Sequence, residues 1–179
     1  MKTALLIIAL CLIACTNNID LPPGFSYNFH IDRSFTNEQQ ADIQTALTRW
    51  KEAVNVSFKV DYDCPTGNPD YDICIVPDTR EHILSMFSSN PYIVGLTSVY
   101  SNQSSTIYIW SQETQPFFIE DAEHEIGHAL GLLHTTQGLM YKNITIPDDG
   151  VITCGDAQQY YAVRGEYMYC DERYELSGD

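Results

Sequence analysis

Basic residues are scarce in this sequence of 179 residues, which has 9 Lys and Arg against 24 Asp and Glu and a formal net charge of −15. A surface of this sign repels the phosphates of nucleic acids and the anionic headgroups of membranes. We therefore expect no nucleic-acid partner and no electrostatic attachment to a membrane. Internal repeats and low-complexity tracts are also missing, and the length suits one domain with a single core.

Apolar runs long enough to span a bilayer are missing as well. The run over residues 4–14 is shorter than the roughly 20 residues that a membrane-spanning helix needs, but it suits the core of a signal peptide. It ends in Leu-Ile-Ala before Cys15, which resembles a bacterial lipobox. We predict a lipoprotein signal peptide over residues 1–14, lipidation of Cys15, a tether over residues 15–24 and a folded domain over residues 25–179. The alternative is an ordinary secretory signal without a lipid.

Cysteines with Cys-x-x-Cys spacing do not occur, so a zinc site built from thiolates is not expected. Four cysteines follow the signal segment, and an oxidising compartment outside the cytoplasm favours disulfides between them. Three pairings are possible, and closeness along the chain favours Cys64 with Cys74 and Cys154 with Cys170. The alternative is four buried free thiols.

Strand-like and helix-like segments alternate along the chain, which predicts a sheet with helices packed on it. A short polar linker between the last two strands predicts a hairpin. The predicted strands cover residues 25–31, 56–62, 71–76, 93–100 and 104–110, and the predicted helices lie near residues 36–54, 116–132 and 155–163.

The segment from His124 to His134 carries the clearest chemical pattern. On a helix, His124 and His128 lie on one face, one turn apart, so both rings can reach one metal ion. Glu125 lies at the edge of that face, where it can reach a water on the metal without being a ligand. A helix continued to His134 would rotate this side chain by about 240° and carry it about 9 Å from His128. Gly131 allows the chain to turn back, because glycine adopts the left-handed conformation that ends helices.

Three neutral imidazoles leave one position of a tetrahedral zinc ion open, which is typical of catalytic zinc sites. Zinc activates water and polarises a peptide carbonyl, and Glu125 would transfer the proton of the water to the leaving amine. The alternative is an ordinary helix with incidental histidines. The presence of Gly131 and His134 at the required spacing argues against that alternative.

The pattern His-Glu-x-x-His-x-x-Gly-x-x-His, followed by Gly138-Leu-Met140-Tyr, resembles the metzincin zinc peptidases and, among them, the matrixins. The resemblance extends over residues 25–165. It implies an α+β fold with a twisted, mostly parallel five-stranded sheet and one antiparallel edge strand. Two long helices pack on this sheet, and a small helical subdomain follows at the C-terminal end. It also implies that Met140 lies beneath the metal as an apolar floor.

The same resemblance implies that a substrate peptide lies extended along the edge strand. The matching substrate-binding residues are Gly95, Leu96, Thr97 and Ser98, and the peptide backbone would add to the sheet there. The alternative is an edge strand that binds nothing. Outside the motif the sequence has only His30 and His82, which are far apart along the chain. We therefore expect one catalytic zinc ion and no second, structural zinc ion. Calcium sites stay unassigned.

These features together predict a monomeric zinc metalloendopeptidase that cleaves extracellular peptides or proteins. We expect it at the bacterial cell envelope, attached to the membrane only through the lipid on Cys15, or otherwise secreted. One alternative is a zinc-binding surface lipoprotein without turnover, against which the retention of Glu125 argues. The other is a zinc amidase acting on cell-wall material.

Overall fold

A computed structural model describes residues 26–65, 72–86, 95–100, 104–112, 117–135, 138–140 and 152–166. The predicted signal peptide and tether, including Cys15, lie outside these residues, and so does Cys170. Each helix in the described ranges is too short or too polar to span a membrane.

One mixed sheet organises the described part of the chain. Its strands are β1 (Ser26–Ile31), β2 (Ser57–Tyr62), β3 (Asp72–Asp78), β4 (Gly95–Val99) and β5 (Ser105–Trp110). They lie in the order β2-β1-β3-β5-β4. Neighbouring strands are parallel except at the edge, where β4 runs antiparallel to β5 with Gly95 opposite Ile109. The α+β class, the mostly parallel sheet and the antiparallel edge strand predicted from the sequence are therefore confirmed.

The described helices are α1 (Asn37–Val54), α2 (Arg80–Met86), α3 (Phe117–Ala129) and α4 (Cys154–Ala162). Helix α1 begins with a capping box, in which Thr36 and Gln39 each accept a backbone hydrogen bond from the other. It ends at Asn55, whose φ of 49° is left-handed. The sequence predicted α1, α3 and α4 but not α2. Helix α2 has seven residues and buries only Ile83, so it carries no helical periodicity.

The core lies between one face of the sheet and the helices α1 and α3. In β1 the buried residues alternate with partly exposed ones, as expected for a strand with one face on the core. Burying a large apolar side chain stabilises the fold by about 1.5–3 kcal/mol. The fully buried side chains of the sheet are Phe29, Ile31, Ile73, Ile75, Ile107 and Ile109, and the buried residues of α1 are Ile43, Ala46, Leu47, Trp50 and Val54.

Helix α1 holds α3 in place through two side chains. The indole Nε1 of Trp50 donates a 2.8 Å hydrogen bond to the backbone oxygen of Glu123, and Nη1 of Arg49 donates a 2.7 Å bond to the buried Glu123 carboxylate. The ring of Trp50 also reaches Gly127, where an added Cβ would lie 3.0 Å from its Cζ2 atom. These contacts fix the helix that carries the first two histidines of the motif.

A disulfide joins Cys64, just after β2, to Cys74 in β3, with a Cα–Cα distance of 5.5 Å. This confirms the predicted pair. Cys154 also forms a disulfide, and its expected partner Cys170 lies outside the described residues. The alternative of four free thiols is therefore wrong. Disulfides persist in oxidising compartments, which favours an exported protein.

Arg164, just after α4, ties the C-terminal segment to the rest of the domain. Its guanidinium lies 3.5 Å from the ring centroid of Tyr160, and its Nη2 donates hydrogen bonds to the Tyr27 hydroxyl and, at 3.0 Å, to the backbone oxygen of Leu130. Hydrogen bonds from a charged group contribute about 1.5–3 kcal/mol. Arg164→Met should therefore lower the free energy of unfolding in urea by about 2–3 kcal/mol.

The matched control is Arg33→Met. Arg33 forms an exposed ion pair with Asp63, in which the two side chains are 70% and 64% exposed. Its loss should change the free energy of unfolding by less than about 0.5 kcal/mol. Equal effects of the two substitutions would contradict the role assigned to Arg164.

Candidate metal centre

Helix α3 and the turn after it bring three imidazole rings together. Within α3, Nε2 of His128 lies 3.1 Å from Nε2 of His124. The helix ends at Ala129, and Gly131 follows with a φ of 92°, a left-handed value that favours glycine. The chain then turns back, so that Nε2 of His134 lies 3.3 Å from Nε2 of His124 and 3.2 Å from Nε2 of His128. The chain reversal expected at Gly131 is present.

The hydrogen bonds of these rings determine which nitrogens are available to a metal. Nδ1 of His124 lies 2.8 Å from the oxygen of Leu139, and Nδ1 of His128 lies 2.9 Å from the oxygen of Leu132. A carbonyl oxygen only accepts, so each Nδ1 carries the proton and each Nε2 presents a lone pair in the neutral ring. Lone pairs so close repel one another unless a cation lies between them.

The nitrogen separations suit a zinc ion. Zinc bound tetrahedrally at about 2.0–2.1 Å places its nitrogen ligands about 3.3 Å apart. The observed Nε2–Nε2 distances of 3.1, 3.2 and 3.3 Å are close to that value. Among the described residues, His124, His128 and His134 form a group that could hold one metal ion.

The surroundings keep the rings in the form that binds metals. Burial and, to a smaller extent, the nearby His128 lower the pKa of His124 to about 4. Burial also lowers the pKa of His128, with a smaller contribution from His134. His124 and His128 are therefore neutral at pH 7, as a metal ligand requires.

Met140 lies against the middle of α3. Its side chain is fully buried, and its Sδ atom lies 2.5 Å from the position that a Cβ on Gly127 would occupy. A side chain on residue 127 would therefore displace Met140. The backbone oxygen of Met140 accepts a 2.8 Å hydrogen bond from the N–H of Thr135, which closes the turn after His134. Met140 thus packs under the helix that carries the histidines.

A carboxylate that the sequence analysis did not single out supports this turn. Asp156, buried in α4, accepts a 3.3 Å hydrogen bond from the N–H of Met140, and also bonds the backbone N–H and the hydroxyl of Thr153. The neighbouring backbone oxygen of Leu139 accepts the bond from His124. Asp156 therefore holds the segment that orients His124. The spacing Thr-x-x-Asp at the start of α4 is the sequence signal that marks Asp156 as a capping residue.

Asp156→Ala should lower the zinc affinity by about 10–100-fold, since groups that orient metal ligands typically have effects of that size. The affinity is measured by competition with a chromogenic chelator. The matched control is Thr153→Val, which removes the helix cap but leaves the bond from Met140 to Asp156. It should lower stability by about 1 kcal/mol and leave zinc affinity unchanged. Wild-type zinc affinity in Asp156→Ala would show that the bond to Met140 is irrelevant to the metal site.

Glu125 is a buried carboxylate next to the first histidine. The hydroxyl oxygen of Thr97, in β4, lies 2.6 Å from its Oε2 atom and 2.9 Å from its backbone oxygen. Gly95 approaches it closely, since an added Cβ there would lie 2.7 Å from Cγ of Glu125. Burial raises the pKa of Glu125 to about 7, and the Thr97 hydrogen bond opposes that shift. A carboxylate with a pKa near the working pH suits proton transfer.

The predicted substrate-binding residues lie on β4 and divide between its two faces. Gly95 and Thr97 contact Glu125, and Leu96 and Ser98 alternate with them along the strand; of the four, only Gly95 is fully buried. Among the described strands β4 pairs with β5 alone, so its other edge has no strand partner in that part of the chain. An edge strand is the kind of element to which an extended peptide can add.

The fold resembles that of a known structure, although the sequence does not match known families. No protein-family model and no curated protein matches the sequence. Among solved structures, that of myroilysin aligns with a TM-score of 0.51 and 12% sequence identity, over 86% of this chain and 99% of that chain. A fold by itself does not determine chemistry, so the activity depends on the residues of the site. The chain is similar to myroilysin in its α+β fold.

Proposed function

We propose that this protein is a zinc-dependent endopeptidase of the matrixin-like metzincin type. His124, His128 and His134 hold one catalytic zinc ion, and Glu125 is the general base. The observation that carries the proposal is the convergence of three Nε2 atoms within 3.1–3.3 Å, on a helix in which the buried Glu125 follows the first of these histidines. Three protein ligands leave one tetrahedral position open, which distinguishes catalytic from structural zinc sites.

The residues of the site have separate tasks in peptide hydrolysis. When bound, zinc supplies a Lewis acid that activates water and polarises the scissile carbonyl. The Glu125 carboxylate accepts a proton from the attacking water and donates it to the nitrogen of the leaving amine. The bonds from Nδ1 of His124 and His128 to backbone oxygens hold both rings in the orientation that aims Nε2 inward.

The substrate is an extended peptide that adds to the outer edge of β4. Strand addition supplies backbone hydrogen bonds along several substrate residues, so the enzyme would cut within a chain rather than at its ends. The disulfides and the predicted signal segment support action outside the cytoplasm. We further propose that the monomer is retained at the cell envelope by the lipid on Cys15.

A zinc-binding lipoprotein without turnover is the first rival. Such a protein needs no buried carboxylate beside its ligands, whereas Glu125 is held there by contacts with β4. A zinc amidase acting on cell-wall material is the second rival. It would not need a strand edge for peptide addition, such as the outer edge of β4, which has no strand partner among the described residues.

One digestion experiment distinguishes the endopeptidase from the amidase and from the binding protein. The zinc-loaded protein is incubated with a peptide library and, separately, with cell-wall fragments, and the products are identified by mass spectrometry. Internal cleavage of peptides, absent with Glu125→Gln, supports the endopeptidase. Release of cell-wall fragments without peptide cleavage would replace it with the amidase, and no product from either would leave a binding protein.

A further inference from the structure

Strand β4 contacts the proposed general base directly. Thr97 lies 28 residues before Glu125, and its hydroxyl oxygen is 2.6 Å from Oε2 and 2.9 Å from the backbone oxygen of Glu125. We propose that Thr97 is a positioning residue that holds the Glu125 carboxylate throughout the proton transfer. This inference rests on the proposed endopeptidase function and assigns a side-chain role to a strand otherwise expected to bind substrate through its backbone.

The hydroxyl suits both stages of that transfer. It has one hydrogen to donate and lone pairs to accept with, and two oxygens of Glu125 lie within its reach. While Glu125 is ionised, the Thr97 hydroxyl donates to Oε2. The proton from water goes to the other carboxylate oxygen, Oε1, and passes from there to the leaving amine, so the Thr97 hydroxyl can keep its bond to Oε2 throughout. Thr97 gains and loses no proton, and no heavy atom has to move.

The backbone of β4 confines Glu125 as well. A Cβ on Gly95 would lie 2.7 Å from Cγ and 3.0 Å from Oε1 of Glu125, so the strand packs directly on the side chain. The position of the strand is itself fixed, because Gly95 and Thr97 lie opposite Ile109 and Ile107, which are both fully buried. The strand proposed to align the peptide therefore also places the base that acts on it.

Two variants of Thr97 separate the effect of its hydroxyl from the effect of its side-chain shape. Thr97→Val keeps the shape and the strand preference of threonine but removes the hydroxyl, whereas Thr97→Ser keeps it. General acid–base catalysis contributes about 10²–10⁴-fold, so loss of positioning in Thr97→Val should lower kcat about 10–100-fold. The KM and the zinc content should stay near the wild-type values, because the substrate backbone and the histidines are unchanged. Thr97→Ser should restore kcat to within about threefold, since the hydrogen bond is retained.

Kinetics and crystallography together decide the outcome. Wild-type kcat in Thr97→Val, or equal loss in Thr97→Ser, would overturn the proposal, since the effect would then not follow the hydroxyl. Crystal structures of the zinc-loaded variants give a readout without turnover. The Glu125 carboxylate should keep its wild-type position in Thr97→Ser and shift or divide between conformers in Thr97→Val, and an unshifted carboxylate in the valine variant would overturn the proposal. If the wild-type protein cleaves no peptide, the endopeptidase function fails while these structures still decide whether Thr97 positions Glu125.

Discussion

Glu125→Gln is expected to lower the rate of peptide cleavage by about 10²–10⁴-fold while one zinc ion per chain remains bound. Glutamine has nearly the same shape as glutamate but cannot accept the proton of the attacking water at neutral pH. The metal should stay, because Glu125 is not part of the histidine group that could hold it. Cleavage is followed with a quenched fluorescent peptide, and zinc is measured by atomic absorption on the same samples.

The control for this substitution is Glu52→Gln. Glu52 is an exposed carboxylate on α1, so its replacement removes the same charge without touching the site. It should cleave at the wild-type rate. A zinc-loaded Glu125→Gln variant with wild-type activity would reject Glu125 as the base, and loss of zinc from that variant would assign its carboxylate to the metal instead.

His134→Ala should have the second large effect, the loss of tight zinc binding together with activity. The substitution leaves two imidazoles where three converge, and two ligands cannot define a tetrahedral site with one open position. The zinc affinity should fall by more than the roughly 10–100-fold that is typical when only a supporting group is removed. Competition with a chromogenic chelator measures the affinity.

His82→Ala is the matched histidine control. His82 is an exposed residue of α2 that pairs with Asp78, at 2.6 Å, and does not belong to the histidine group. Its zinc affinity should equal that of the wild-type protein. Full zinc occupancy with undiminished affinity in His134→Ala would place the third ligand elsewhere.

The sequence predicts the parts of this fold that repeat with a period. Helix α1 buries residues at helical spacing, and β1 buries every second residue, so both elements can be located from the order of apolar and polar residues. The convergence of the histidines was also predictable. A spacing of six residues between His128 and His134 only makes a site if the chain reverses, and Gly131 has the left-handed φ that such a reversal requires.

The groups that support the site were not predictable in the same way. The contact of Thr97 with Glu125 joins residues 28 apart, and that of Asp156 with Met140 joins residues 16 apart. Both depend on where β4 and α4 pack against α3, which no local pattern in the sequence determines. The disulfide between Cys64 and Cys74 was easier, because only ten residues separate the two cysteines.

We propose that three imidazoles and one open coordination position form a catalytic zinc site. Anomalous diffraction at the zinc edge, from crystals of the zinc-loaded protein, tests it most directly. We expect one peak about 2.0–2.1 Å from Nε2 of each of His124, His128 and His134, with solvent as the fourth ligand. The absence of a peak between the three rings, or a fourth protein side chain that closes the coordination sphere, would contradict it.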